Sequence, residues 1–111
     1  MFDLRDFKGA IREAVRQERH KDQNWSWKVL AINKDIAKIG WGYLDYLEDK
    51  SWFGIEIVGE PDGLVAVVGS APNGHRVFRF VGDDPFADAK SVEDGIGVAV
   101  RDIAKYAHNV Y

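Results

Sequence analysis

Two segments with helical periodicity enclose a central stretch in which apolar and polar residues alternate. Residues 3–20 and 91–109 carry apolar side chains at spacings of three and four, which is the spacing of one helix face. Residues 25–81 alternate over short runs and are interrupted by Gly, Pro, Asn and Asp, which is typical of strands joined by tight turns. This order of segments predicts an α+β fold.

The first predicted helix runs from Asp3 to His20, with Asp3 as its N-cap. At 100° per residue, one arc of this helix is apolar and is expected to face the core: Leu4, Phe7, Ile11, Ala14 and Val15. The neighbouring arc, called here the basic stripe, collects five cations: Arg5, Lys8, Arg12, Arg16 and Arg19.

The central stretch divides into five predicted strands: Trp25–Ile32, Ile36–Leu47, Trp52–Val58, Leu64–Ser70 and Arg76–Val81. Residues 60–63 and 72–74 combine Pro with a following Gly, which is typical of β-turns. Because every connection is short, we expect a five-stranded antiparallel meander in the order 1-2-3-4-5. On the second strand, Gly40 and Gly42 share one face and the bulky residues share the other.

The second predicted helix begins at Ser91, with Asp94 completing a capping box. Gly95 and Gly97 lie inside it and are interpreted as packing positions rather than as part of a nucleotide loop. Its apolar arc is expected to pack on the sheet: Val92, Ile96, Ala99, Ile103, Ala107 and Val110. With both helices on one sheet face, residues 1–111 form one two-layer domain.

The composition narrows the possible environments and chemistries. The chain has no Cys, which excludes disulfides and thiol catalysis. No apolar run approaches the ~20 residues that span a bilayer, and the N-terminal residues lack the pattern of a signal peptide. We therefore expect a cytoplasmic protein without membrane association.

No residue pattern in the chain indicates a reaction. His20, His75 and His108 lack metal-ligand spacing and are interpreted as surface residues. The acids between residues 83 and 94 do not have the spacing of a calcium loop. The sequence thus predicts no catalytic residue, no metal site and no cofactor, and not an enzyme. Core packing or protein binding is the expected role of the four tryptophans: Trp25, Trp27, Trp41 and Trp52.

The formal net charge of −3 is unevenly distributed along the chain. Residues 1–21 hold six Lys and Arg against four Asp and Glu, and the remaining residues hold nine against fourteen. In a meander, alternate turns lie at the same end of the sheet. The meander therefore predicts a cluster of acids near the start of the second helix, called here the acidic rim: Asp35, Glu60, Asp62, Asp83 and Asp84.

Two functions fit these patterns. The first is a small non-catalytic interaction module of inhibitor, immunity or adaptor type, which occludes a larger protein partner. Its acidic rim would dock on a basic surface, such as that of a nucleic-acid-handling protein, because an acidic surface imitates a phosphate backbone. The alternative is an anion or nucleic-acid binder acting through the basic stripe, which the negative net charge disfavours. The oligomeric state and the role of the second sheet face stay open.

Overall fold

Five strands form a single antiparallel sheet, hydrogen-bonded in chain order. A computed structural model describes residues 3–17, 25–43, 52–60, 64–82 and 89–110. The strands are β1 (Trp25–Ile32), β2 (Ile36–Tyr43), β3 (Phe53–Gly59), β4 (Val65–Ser70) and β5 (Arg76–Val81). With a helix before and after this sheet, the predicted α+β meander is confirmed.

The observed strand ends differ only slightly from the predicted ones. β1 and β5 have the predicted bounds, while β3 and β4 each begin one residue later, at Phe53 and Val65. The predicted continuation of β2 from residue 44 to 47 lies outside the described residues. β1 shifts its register against β2 between Val29 and Ala31, whereas the other three pairings run without a shift.

The first helix is made of two parts rather than one. A 3₁₀ turn, η1 (Leu4–Phe7), precedes the α-helix α1 (Lys8–Gln17). Asp3 is the N-cap as predicted, because its carboxylate accepts the Arg5 N–H at 3.0 Å. Asp6 N–H donates to Asp3 O, the i to i+3 bond of a tight first turn. The predicted residues 18–20 lie outside the described residues.

The second helix, α2 (Ala89–Val110), begins two residues before the predicted start at Ser91. The predicted capping box is therefore wrong, since Ser91 and Asp94 lie within the helix. Asp94 instead forms an ion pair with Lys90 one turn earlier, with Lys90 Nζ and Asp94 Oδ1 3.3 Å apart. The discrepancy arises because Ala and Lys are good helix formers, so the helix begins before its apolar arc does.

Both helices pack on one face of the sheet, and this confirms the two-layer arrangement. The predicted apolar arcs are buried wherever their side chains are described. They contact the sheet residues of the same face, which include Ile39, Ile55 and Val67. α2 crosses β4 at Gly69, where a Cβ would lie 2.5 Å from Ile103 Cγ2. Gly95 of α2 leaves similar room for Val81, as a packing role predicts.

The end of α2 is fixed to β1 by an aromatic cluster. Trp27 and Trp41 stack with ring centroids 5.5 Å apart, and Trp27 Nε1 donates to His108 Nε2 at 2.7 Å. His108 is half-buried, so its predicted surface position is wrong. The prediction failed because the sequence pattern indicates the helix but not where the helix crosses the sheet. His75 is exposed, as predicted, and His20 lies outside the described residues.

Candidate functional site

The structure brings the two described members of the acidic rim to one end of the sheet. Gly59 N–H donates to Asp35 O at 2.8 Å, which joins the β1–β2 turn to the end of β3, next to Glu60. Val65 pairs with Gly59 on one side and with Val81 on the other, so β5 also ends there. Asp35 is exposed and Glu60 is half-buried. The other rim residues lie outside the described residues: Asp62, Asp83 and Asp84.

Basic side chains share this end of the sheet. Leu4 N–H donates to Lys34 O at 2.9 Å, which places the start of the first helix beside the rim. The Arg5 guanidinium binds the Asp3 carboxylate, with Nη2 and Oδ2 2.7 Å apart. The pKa of Arg5 is raised mainly by the hydrogen bond to Asp3, and Asp35 adds a smaller attraction. The described part of the rim therefore has mixed charge.

Replacing Asp3 tests the ion pair at the helix start. The hydrogen bond from the Arg5 side chain, and then the one from its backbone, lowers the pKa of Asp3 from 3.8 to about 2. The pair therefore stabilises the fold fully above pH ~4, and its contribution disappears as the pH falls through about 2. Because Asn still caps a helix, Asp3→Asn keeps the cap and removes the carboxylate that pairs with the Arg5 guanidinium. We expect a lower Tm than wild type at pH 7, and a Tm difference that shrinks as the pH falls from 4 to 2, measured by circular dichroism. A Tm difference at pH 2 as large as that at pH 7 would contradict this assignment.

The basic stripe is exposed but partly neutralised. Its described members all lie on the surface: Arg5, Lys8, Arg12 and Arg16. Arg5 is bound to Asp3, and Arg16 forms an ion pair with Glu13 one turn earlier. Lys8 and Arg12 form no ion pair within the described part of the chain. The fifth predicted member, Arg19, lies outside the described residues.

The sheet face opposite the helices, called here the open face, carries large exposed apolar side chains on β5. Strand alternation places Arg76, Phe78 and Phe80 on this face, and these three residues are called the β5 patch. The side chains of Phe78 and Phe80 are 48% and 60% exposed. They lie directly opposite two apolar residues of β4, Val68, which is half-buried, and Ala66, which is buried.

The other half of the open face is polar. Lys38 of β2 lies directly opposite Glu56 of β3, and both side chains are exposed. Lys28 of β1 lies opposite Gly40, which in turn pairs with Gly54. The open face is thus charged around β1–β3 and, apart from Arg76, mainly apolar at β4–β5.

The β5 patch is a surface that the sequence analysis did not identify. Its signal was present, because Phe78 and Phe80 alternate with arginines on one short strand. The opposite face of β5 is also apolar, through Val77 and Val81, so alternation alone does not show which face the helices cover. The contact of Val81 with Gly95 of α2 shows that the helices cover the face of Val77 and Val81, which leaves Phe78 and Phe80 on the open face.

Two further findings concern the described residues. No three His, Asp or Glu side chains of the described residues cluster closely enough to hold a metal ion. Among the described helices, none is both long and apolar enough to cross a membrane. No family model, curated protein or solved structure matches the chain.

Proposed function

We propose that the protein is a non-catalytic interaction module, of inhibitor, immunity or adaptor type, which occludes a larger protein partner through the β5 patch. The observation that carries this proposal is the pair of exposed phenylalanines, Phe78 and Phe80, in one row with Arg76. Aromatic and Arg side chains are enriched where protein interfaces bury most of their energy. We assign the interface to the strand on which two such aromatics lie side by side and exposed.

The free energy gained by covering Phe78 and Phe80 is large enough for a binding site. A Phe side chain buries ~150–250 Å² when fully covered, and about half of that area is exposed at Phe78 and Phe80. At ~25 cal/mol per Å², covering each ring contributes about 2–3 kcal/mol. The described acids of the rim, Asp35 and Glu60, lie at the end of the sheet where β5 ends, so charged groups flank the patch at this end and would raise the association rate.

Site-specific photocrosslinking tests this proposal. A photoreactive phenylalanine analogue at position 80 of the full chain, expressed in its native host, should crosslink a defined partner. Addition of wild-type protein should compete for that partner, and the variant Phe78→Asp/Phe80→Asp should not. Position 98 is the matched control, because Val98 is 50% exposed on α2, in the other layer. Equal crosslinking at positions 80 and 98, or equal competition by the double variant, would contradict the proposal.

A single-stranded nucleic acid is the second candidate ligand of the same surface. Alternate residues on a strand are ~7 Å apart, so Phe78 and Phe80 could each stack a base while Arg76 contacts a phosphate. This surface replaces the basic stripe as the favoured site, because Arg5 and Arg16 are held in ion pairs. The net charge of −3 disfavours this candidate relative to a protein partner.

Fluorescence anisotropy with a labelled oligo(dT) distinguishes these possibilities. Stacking on the patch predicts salt-dependent binding that Phe78→Leu/Phe80→Leu abolishes, since leucine keeps the apolar character but not the aromatic ring. Loss of binding in Lys8→Gln/Arg12→Gln instead would assign the site to the basic stripe. Absence of binding at low salt would exclude both nucleic-acid sites.

A further inference from the structure

We infer that the partner binds as an extended strand added to the outer edge of β5, and that this strand carries acidic residues opposite Arg76 and Arg79. The inference rests on the proposed function, because it specifies how a protein partner contacts the β5 patch. It goes further in naming the backbone geometry and the side-chain pattern of the bound segment.

The two edges of the sheet differ in their ability to accept another strand. β1 contains a register shift between Val29 and Ala31, and bulges of this kind disrupt the pairing of an edge. β5 pairs with β4 without a shift over all six residues, Arg76–Val81. Among the described strands, β5 is therefore the regular edge.

The hairpin before β5 defines which backbone groups point outward. Ala71 N–H donates to His75 O at 2.9 Å, and hydrogen-bonded pairs then recur at every second residue of an antiparallel ladder. The backbone groups of Val77 and Arg79 therefore face β4. Those of the β5 patch, Arg76, Phe78 and Phe80, face outward. An added strand would hydrogen-bond to the same three residues that present their side chains on the open face.

A side-chain contact independently supports this orientation. Arg79 Nη1 donates to Phe78 O at 2.8 Å, so the guanidinium occupies an outward carbonyl of the edge. An incoming strand would replace this bond with its own N–H. Arg79 would then be available to pair with a carboxylate of that strand. An acidic residue opposite Arg79 is thus expected to compensate for the exchanged hydrogen bond.

The charge of the edge favours a partner of different sequence over a second copy. Arg76 and Arg79 both lie on β5 and are exposed. Pairing β5 with another β5 would place two arginines on each face of the joined sheet, Arg76 with its copy and Arg79 with its copy, and β5 has no carboxylate to pair with either. Like charges that lie opposite each other on neighbouring strands are destabilising. An acidic segment with apolar residues opposite Phe78 and Phe80 complements all four positions.

A blocked heptapeptide of sequence Thr-Val-Glu-Val-Thr-Glu-Thr has this pattern. In antiparallel register, its valines lie opposite Phe80 and Phe78, and its glutamates lie opposite Arg79 and Arg76. Titrated into the ¹⁵N-labelled full chain, it should produce saturable amide shifts confined to β5 and its neighbours. N-methylation of both valines removes the donors to Phe80 O and Phe78 O, and should weaken binding at least about tenfold. Replacing both glutamates with lysines should do the same.

A double-mutant cycle tests the role of Arg79. Arg79→Ala should weaken binding of the Glu peptide several-fold. The same substitution should not weaken binding of a peptide with Thr opposite position 79. In the variant, the Phe78 carbonyl has no hydrogen bond from Arg79 to give up when the peptide binds. Lys105→Ala, at an exposed position of α2, is the matched control and should bind both peptides as wild type does.

The outcomes separate this inference from the proposed function. Equal binding of the parent and N-methylated peptides would overturn strand addition and leave docking on the open face. Absence of saturable shifts at millimolar peptide would also overturn it, while specific crosslinking at position 80 would preserve the proposed function. Loss of both results would overturn both proposals. Shifts of Phe78 and Phe80 caused by oligo(dT) but not by the peptide would overturn the inference in favour of a nucleic-acid ligand.

Discussion

Replacing Ile103 with alanine is expected to lower the free energy of unfolding by about 2–5 kcal/mol. The side chain is 0% exposed and lies where α2 crosses β4, so its loss leaves a cavity between the two layers. Total stabilities of ~5–15 kcal/mol make such a loss large. Urea unfolding followed by tryptophan fluorescence measures it.

The matched control for this variant is Val98→Ala on the same helix. Val98 is 50% exposed, so its truncation should change the free energy of unfolding by less than about 0.5 kcal/mol. An Ile103→Ala midpoint equal to that of Val98→Ala would contradict the observed packing of α2 on the sheet.

Adding a single methyl group at Gly69 should destabilise the fold by about 1–3 kcal/mol. The new Cβ in Gly69→Ala would lie 2.5 Å from Ile103 Cγ2 and 2.8 Å from Phe53 Cζ. Both neighbours are themselves buried, so the Ile103 side chain on α2 and the Phe53 ring on β3 must both shift to make room. The same denaturant unfolding measures the effect.

Gly9→Ala is the control of opposite sign. Nothing lies within 4 Å of a Cβ built at Gly9, and the residue is in α1, so alanine should stabilise the protein by up to about 1 kcal/mol. Gly69→Ala combined with Ile103→Ala should destabilise by less than the sum of the two, because Ile103→Ala removes one of the clashing groups. Full additivity would show that Gly69 and Ile103 do not compete for the same space.

The architecture was predictable because local chemistry specifies it. The Pro72-Asn73-Gly74 turn closes the β4–β5 hairpin as expected, with Gly74 at a φ of 86°. Short connections of this kind leave few alternatives to an antiparallel meander. The helical arcs were equally informative, since an apolar arc is stable only when it is buried, here against the sheet and the other helix.

The candidate site was only partly predictable, because it depends on contacts between distant segments. The meander order placed Asp35 and Glu60 at one end of the sheet. It did not reveal that the helix start brings Arg5 to the same end. Both faces of β5 carry apolar residues in the sequence. The packing of Val81 against Gly95 of α2 determines which face is covered, and the face with Phe78 and Phe80 stays exposed.

The register shift in β1 has a consequence for stoichiometry. A sheet with two equivalent edges can grow in both directions, and repeated strand addition then produces fibres. Of the two edge strands in the described part of the chain, β5 continues the sheet regularly, while β1 is interrupted between Val29 and Ala31. A partner strand at β5 would therefore meet no second regular edge on the same copy of this chain, and we expect a one-to-one complex. The register shift in β1 would thus limit the size of the complex that forms at β5.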